Sequence, residues 1–279
     1  MPELLDMLAM LTTARRPGHT VGWRLGRSVG YEDFLTGVRA WRALLRRTPG
    51  QAFGLYLNDR IQFASALFGT WAAGKMVYLP GDTLPATCAH LRQTVHGYLG
   101  EFASEWNAMM PAAQDEKAHR DALDRLNDDF VGLVLFTSGS TGVPQAIPKK
   151  LCQLSREVAN LETQFGELLG AVDVIATVSH QHIYGLLFNV LWPLMAGRAI
   201  QARSVSFPPE LAAALAERDS LLVSSPAHLK RLPEHPAWAM TSNRLRAVFS
   251  SGGPLSFDVA RDAKRLLGLV PIEVYGSSE

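Results

Sequence analysis

"LVLFTSGSTGVPQAIPKK", residues 133–150, decides how the rest of the chain is read. An apolar run, LVLF, predicts a buried strand, and it opens into a cluster of Ser, Thr and Gly before two lysines, Lys149 and Lys150. Small and hydroxyl residues after a strand present backbone N–H groups and O–H groups with no bulk in the way, which suits phosphate oxygens. A nucleotide is the expected ligand. The same composition also fits a plain surface linker, so other segments must supply a base-binding wall and reactive groups.

Two common chemistries are excluded by spacing. A Walker A loop needs Gly-Lys-Ser/Thr five positions beyond its first Gly, but Pro144 and Gln145 stand beyond Gly139. No G-x-S-x-G elbow occurs, which removes the usual α/β-hydrolase signal.

The 279 residues suffice for one large or two ordinary domains with a sizeable core. Lys plus Arg number 27 against 26 for Asp plus Glu, a net charge of +1, which gives no basic footprint for nucleic acid or an anionic membrane. The apolar stretch from Leu186 to Gly197 is too short to span a bilayer, and MPELLDMLAM lacks a basic leading segment, so a cytoplasmic location is expected. Cys88 and Cys152 have no metal-like spacing and are expected as reduced thiols.

Along the chain, a first helix is predicted over about 3 to 14, followed by strand and helix in alternation. AFGLYL (52–57), a helix over 60–73 closed by Gly74, and MVYLP (76–80) form a β-α-β unit. The polar stretch 104–128, with its charged run QDEKAHRDALDRLNDD, predicts a surface helix between two lobes, 1–128 and 129–279. Beyond it, LVLF leads to a helix with Leu151, Leu154, Val158, Leu161, Phe165 and Leu168 on one face. Strands VIATV, LLVSS, RAVFSS and IEVYG then alternate with helices near 208–219 and 256–267. The expected class is α/β, with doubly wound, mostly parallel sheets, helices on both faces and ligands at the carboxyl ends of the strands.

TSGSTGVP (137–144) resembles the phosphate-binding signature of the adenylate-forming superfamily: acyl-CoA synthetases, luciferases and peptide-synthetase adenylation domains. Three further regions resemble that family in order: WAAGKMVYLPGD (71–82), SHQHIYGLLFNVLWPLMAGRAI (179–200), and SSGGPLS (250–256) with VYGSSE (274–279). The likeness runs from about Tyr31 onward and implies the two-sheet N-terminal portion of that fold, without its C-terminal domain.

The resemblance implies ATP-dependent adenylation of a carboxylic acid, followed by thioester formation on coenzyme A or on the phosphopantetheine of an acyl carrier protein. Thr137, Ser138, Gly139, Ser140, Thr141 and Gly142 would hold the β- and γ-phosphates. Tyr275 with Gly276 would lie at the adenine, and Gly252 and Gly253 would let the backbone approach base and acyl group. Glu279 would bind Mg²⁺, a hard ion suited to carboxylate oxygen. Ser278, where Thr is usual, would bond the α-phosphate. His182 would position the substrate carboxylate, and His182, Tyr184 and Gly185 would shape the acyl pocket. The apolar surroundings of 182–195 lean toward an aryl or fatty acid. His180 reads as a hydrogen-bonded structural residue, and Phe188 as core.

Two departures from the family pattern stand out. Gln145 occupies the position of the loop lysine, which removes a positive charge beside the phosphates; Lys149 is a substitute if the strand turns it inward. The family's chain also continues past the Glu motif, so this sequence is expected to be part of a longer ligase, with a non-catalytic nucleotide- or acyl-binding module, or an inactive fragment, as the alternative.

Overall fold

A computed structural model describes residues 4–112, 115, 122–137, 145–241 and 243–276. Its strands form two mixed, mostly parallel sheets accompanied by helices, so the α/β expectation holds. The first sheet has the order β5-β3-β4-β6-β7, from Gly97–Gly100, Ala52–Tyr56, Met76–Leu79, Val131–Thr137 and Gln145–Lys150. The second has the order β12-β11-β10-β8-β9-β1-β2, from Ile272–Glu273, Leu245–Ser250, Ser220–Ser224, Asp173–Ala176, Ile200–Gln201, Thr20–Arg24 and Arg27–Gly30. Among the described strands, β1 with β2 and β6 with β7 pair antiparallel, and the other pairings are parallel.

Burial follows from composition. Phe53, Leu55, Val77, Leu133, Leu221, Leu222 and Val248 are strand residues with essentially no exposure, as continuous apolar strands covered by helices require. Helix Arg60–Ala72 starts where the Asp59 carboxylate accepts from the amides of Ile61 and Gln62, at 3.0 and 2.9 Å. It ends at Gly74, whose φ of +70° is the left-handed turn that glycine adopts without strain.

The sheets do not follow the chain in two blocks at residue 128. β6 and β7 complete the first sheet, and the amino-terminal β1–β2 hairpin adds to the second beside β9. Polar groups tie the sheets together. Arg24 on β1 pairs with Asp59 at 2.6 Å, and the buried Arg60 donates to the Gln201 and Val178 carbonyls and to Ser204 Oγ, at 3.0, 3.1 and 2.7 Å.

The predicted first helix is a correction: from residue 7 the segment runs through turns. Its polar backbone is used in tertiary contacts, with Leu5 N–H donating to Met195 and Leu8 C=O accepting from Leu126, while Met7, Met10 and Leu11 are buried. Within the helix predicted over the charged run, residues 113–114 and 116–121 lie outside the described residues, and 122–127 have no regular structure. On helix Leu151–Leu169, Leu151, Leu154 and Val158 are buried and Leu161 and Phe165 half-buried, but Leu168 faces solvent at 54% exposure.

Candidate functional site

β6 and β7 form an antiparallel hairpin in which Thr137 pairs with Gln145, so the hydroxyl-rich loop is anchored at both ends by the first sheet. Ser138, Gly139, Ser140, Thr141 and Gly142 lie outside the described residues, as do Ser278 and Glu279. β7 is an edge strand, a place where a proline such as Pro148, which has no N–H to give, is tolerated. It runs into helix Leu151–Leu169, where the Gln153 amide oxygen accepts from the Lys150 N–H at 2.8 Å and the Lys150 amine pairs with Asp129 at 2.7 Å.

A cavity of about 730 Å³ opens beside this helix, against the helical run from Ile183 and the carboxyl ends of β11 and β12. Four residues singled out in the sequence line it together: Lys149, Tyr184, Tyr275 and Gly276. Ser251, just past β11, joins them. One wall is aromatic. Phe188 packs at 4.9 Å from Tyr184, 5.5 Å from Trp192 and 5.1 Å from Phe249, and Phe165 lies 5.0 Å from Phe249. Phe188 is therefore buried, as expected, and also lines the cavity.

The helical run owes its shape to Pro193. Lacking an N–H, Pro193 cannot bond the Asn189 carbonyl, and the turn Leu187–Leu191 between Ile183–Leu186 and Trp192–Ala196 widens into a π-helix. Within this run the Tyr184 hydroxyl is buried and, among the described residues, has no hydrogen-bond partner of normal geometry. Burial pushes its phenol above the ordinary range, against a smaller opposite pull from the Ser224 backbone.

His182 is exposed and precedes the run as its N-cap residue. It lies against Gly81, where an added Cβ would come within 3.0 Å of its Cε1, so WAAGKMVYLPGD and SHQHIYG meet in space. Gly185 is buried for a packing reason: a Cβ there would collide with the Ser179 carbonyl, and Gly185 does not line the cavity. Gly252 needs its left-handed φ of +86°, and a Cβ on Gly252 or Gly253 would meet nothing. The turn they make is tied down by Glu273, whose carboxylate accepts from the Leu255 N–H at 2.6 Å. Tyr275, at 99% exposure, has its whole ring accessible at the cavity mouth. His180 is not in the cavity; its Nε2 donates to the Leu57 carbonyl.

Sequence reasoning missed Lys149's neighbours on the next helix. Gln153, Arg156, Glu157 and Gln164 line the cavity from a face that periodicity marks only as solvated. Among the described residues, no group of three or more His, Cys, Asp or Glu is arranged to hold a metal, and no helix is long and apolar enough to cross a membrane.

The family described as AMP-binding enzyme matches residues 85–279 of this chain. The chain belongs to the AMP-binding enzyme family. It is 36% identical over 152 residues to a 4-coumarate–CoA ligase of Rhodobacter capsulatus, a match covering 52% of this chain and 37% of that protein. Two solved structures share its fold: ATP-bound MatB from Rhodopseudomonas palustris, with a TM-score of 0.80 and 18% identity, and the amide bond synthetase McbA from Marinactinospora thermotolerans, with 0.76 and 19%. Each match covers 99% of this chain and 60% of the other, so this AMP-binding chain spans well under two thirds of its relatives' length.

Proposed function

We propose that this chain forms part of an ATP-dependent ligase that converts a carboxylic acid to its acyl-adenylate. A carboxylate oxygen attacks the α-phosphorus of ATP; that P–O bond forms as the bond to the β-phosphate bridging oxygen breaks, and pyrophosphate leaves with the electron pair. The carbonyl carbon of the mixed anhydride is then open to a thiol, of coenzyme A or of carrier-protein phosphopantetheine, with AMP as the leaving group.

The observation that carries this reading is the convergence of Lys149, Tyr184, Tyr275 and Gly276, from separate segments, on one cavity at the strand carboxyl ends. Thr137 to Gly142 hold the triphosphate tail through hydroxyls and amides. Tyr275 stacks on the adenine, with Gly276 beside it, and Gly252 and Gly253 leave room for the base. Ser278 bonds the α-phosphate, and Glu279 is the residue that would hold Mg²⁺, which offsets phosphate charge when bound. His182, backed by Gly81, orients the substrate carboxylate, and Tyr184 with Phe188 makes the acyl wall. This aromatic wall, together with the similarity to a 4-coumarate–CoA ligase, supports an aryl acid and coenzyme A over a fatty acid.

ATP–pyrophosphate exchange on the complete protein with a panel of aryl and fatty acids tests the reading. Exchange that depends on the acid upholds it. Nucleotide binding without exchange instead identifies a non-catalytic binding module.

A further inference from the structure

A second cavity, of about 350 Å³, lies at the carboxyl ends of β8 and β10, lined among others by Thr177, Ser206, His228 and Arg231. It shares no lining residue with the cavity assigned above. Beside it, at the end of β10, the Thr177 and Ser224 hydroxyls lie 2.9 Å apart.

Its polar lining carries positive charge and hydroxyls and no carboxylate; the remaining walls are Pro208, Leu211 and Leu232. Ser225 Oγ lies 2.8 Å from His228 Nδ1. With the Ser225 O–H donating, Nε2 carries the ring hydrogen, and no described residue accepts from it. The Arg231 guanidinium makes no ion pair with any described residue, although carboxylates pair with most other arginines of this half of the chain. A half-enclosed space with an exposed arginine at its rim, an imidazole N–H, two hydroxyls and no carboxylate suits a ligand that brings acceptors and negative charge.

We propose that this cavity is a second ligand site, which takes the oxyanion end, carboxylate or phosphate, of a small organic molecule between His228 and Arg231. The apolar walls accept the rest of that molecule. Burial and the nearby Arg231 charge, in that order, hold His228 below its ordinary pKa, so an anion that offsets Arg231 moves it back up.

The test is ¹³C NMR of histidine-labelled full-length protein titrated with inorganic phosphate or acetate, with chloride at matched ionic strength as reference. His228 is assigned by loss of its resonance in His228→Gln, or, if that variant does not fold, by the resonance that moves in Ser225→Ala. A saturable shift of His228, with a rise in its pKa and at least tenfold weaker binding in Arg231→Gln, is expected. Saturation by phosphate alone marks a phosphate end, and saturation by acetate a carboxylate end. No saturable shift with either anion, or an equal shift in Arg231→Gln, overturns the proposal.

Discussion

His180 Nε2 lies 2.8 Å from the carbonyl oxygen of Leu57, and this contact joins the loop after β8 to the end of β3, one sheet to the other. A carbonyl only accepts, so Nε2 carries the hydrogen. The edge of Phe63 closes over the ring at a centroid distance of 4.4 Å. Burial first, and the buried Arg60 second, push its pKa down to about 3.

That depression has a defined sign. The unfolded chain takes up a proton at His180 below about pH 6.5, whereas the folded chain resists until about 3, so stability is lost as pH falls through that window. At pH 4.5 the loss from this one group is about 2–3 kcal/mol. His180→Gln keeps a donor for Leu57 and removes the titration. Urea unfolding of the two proteins from pH 7.5 to 4.5 is expected to show the shallower acid slope in the variant; parallel slopes would refute the assignment.

Glu162 on helix Leu151–Leu169 accepts from the Trp192 indole N–H at 2.7 Å and pairs with Arg198 at 2.5 Å, where Arg198 is 1% exposed. This cluster fixes the helix that carries the Gln153, Arg156 and Glu157 wall of the main cavity. Glu162→Ala leaves Arg198 buried without its counter-ion, and a loss of about 3–5 kcal/mol is expected in chemical denaturation. A loss below 1 kcal/mol would mean that Arg198 finds water or another partner.

Tyr184→Phe deletes a buried hydroxyl that has no partner of normal geometry among the described residues. Folding stability is expected to stay level or rise by about 1 kcal/mol. If the phenol waits for a polar group of the acid, the KM for the acid rises while the KM for ATP does not. Equal changes in both constants would place Tyr184 outside the acyl pocket.

Gln145 begins β7 opposite Thr137 and is exposed. Gln145→Lys places a cation at the foot of the hydroxyl-rich loop, and one charge-assisted hydrogen bond to a phosphate is worth about 1.5 kcal/mol more than a neutral contact, or about tenfold in the KM for ATP. An unchanged KM would remove the idea that the amide weakens the phosphate grip.

Much of the fold was legible because buried parallel strands write themselves as short apolar runs. AFGLYL, MVYLP, LVLF, LLVSS and RAVFSS each mark an observed strand, and Gly74 marks the end of the helix between the first two. What escaped was structure whose pattern is set by distant partners. β7 is QAIPKK, a polar edge strand with no buried residue, and its place is given by its register against β6. The β1–β2 hairpin turns at Leu25-Gly26, where Leu25 has φ of +50°, a position usually marked by Asn or Asp. The candidate site was legible where motifs fell on strand ends, as with Tyr275 and Gly276. The contact of His182 with Gly81 depends on how the sheets meet, and no local pattern encodes that.

The placement of β1 beside β9 has a consequence for biosynthesis. Trp23 pairs with Gln201, so β1 must wait for β9, which leaves the ribosome much later. At roughly 5–20 residues per second, that wait is on the order of ten to forty seconds. Throughout it, Val21 and the edge of β1 that pairs with β9 are without their final cover, and a holdase that binds extended apolar chain would find its target in the β1 segment of the nascent polypeptide.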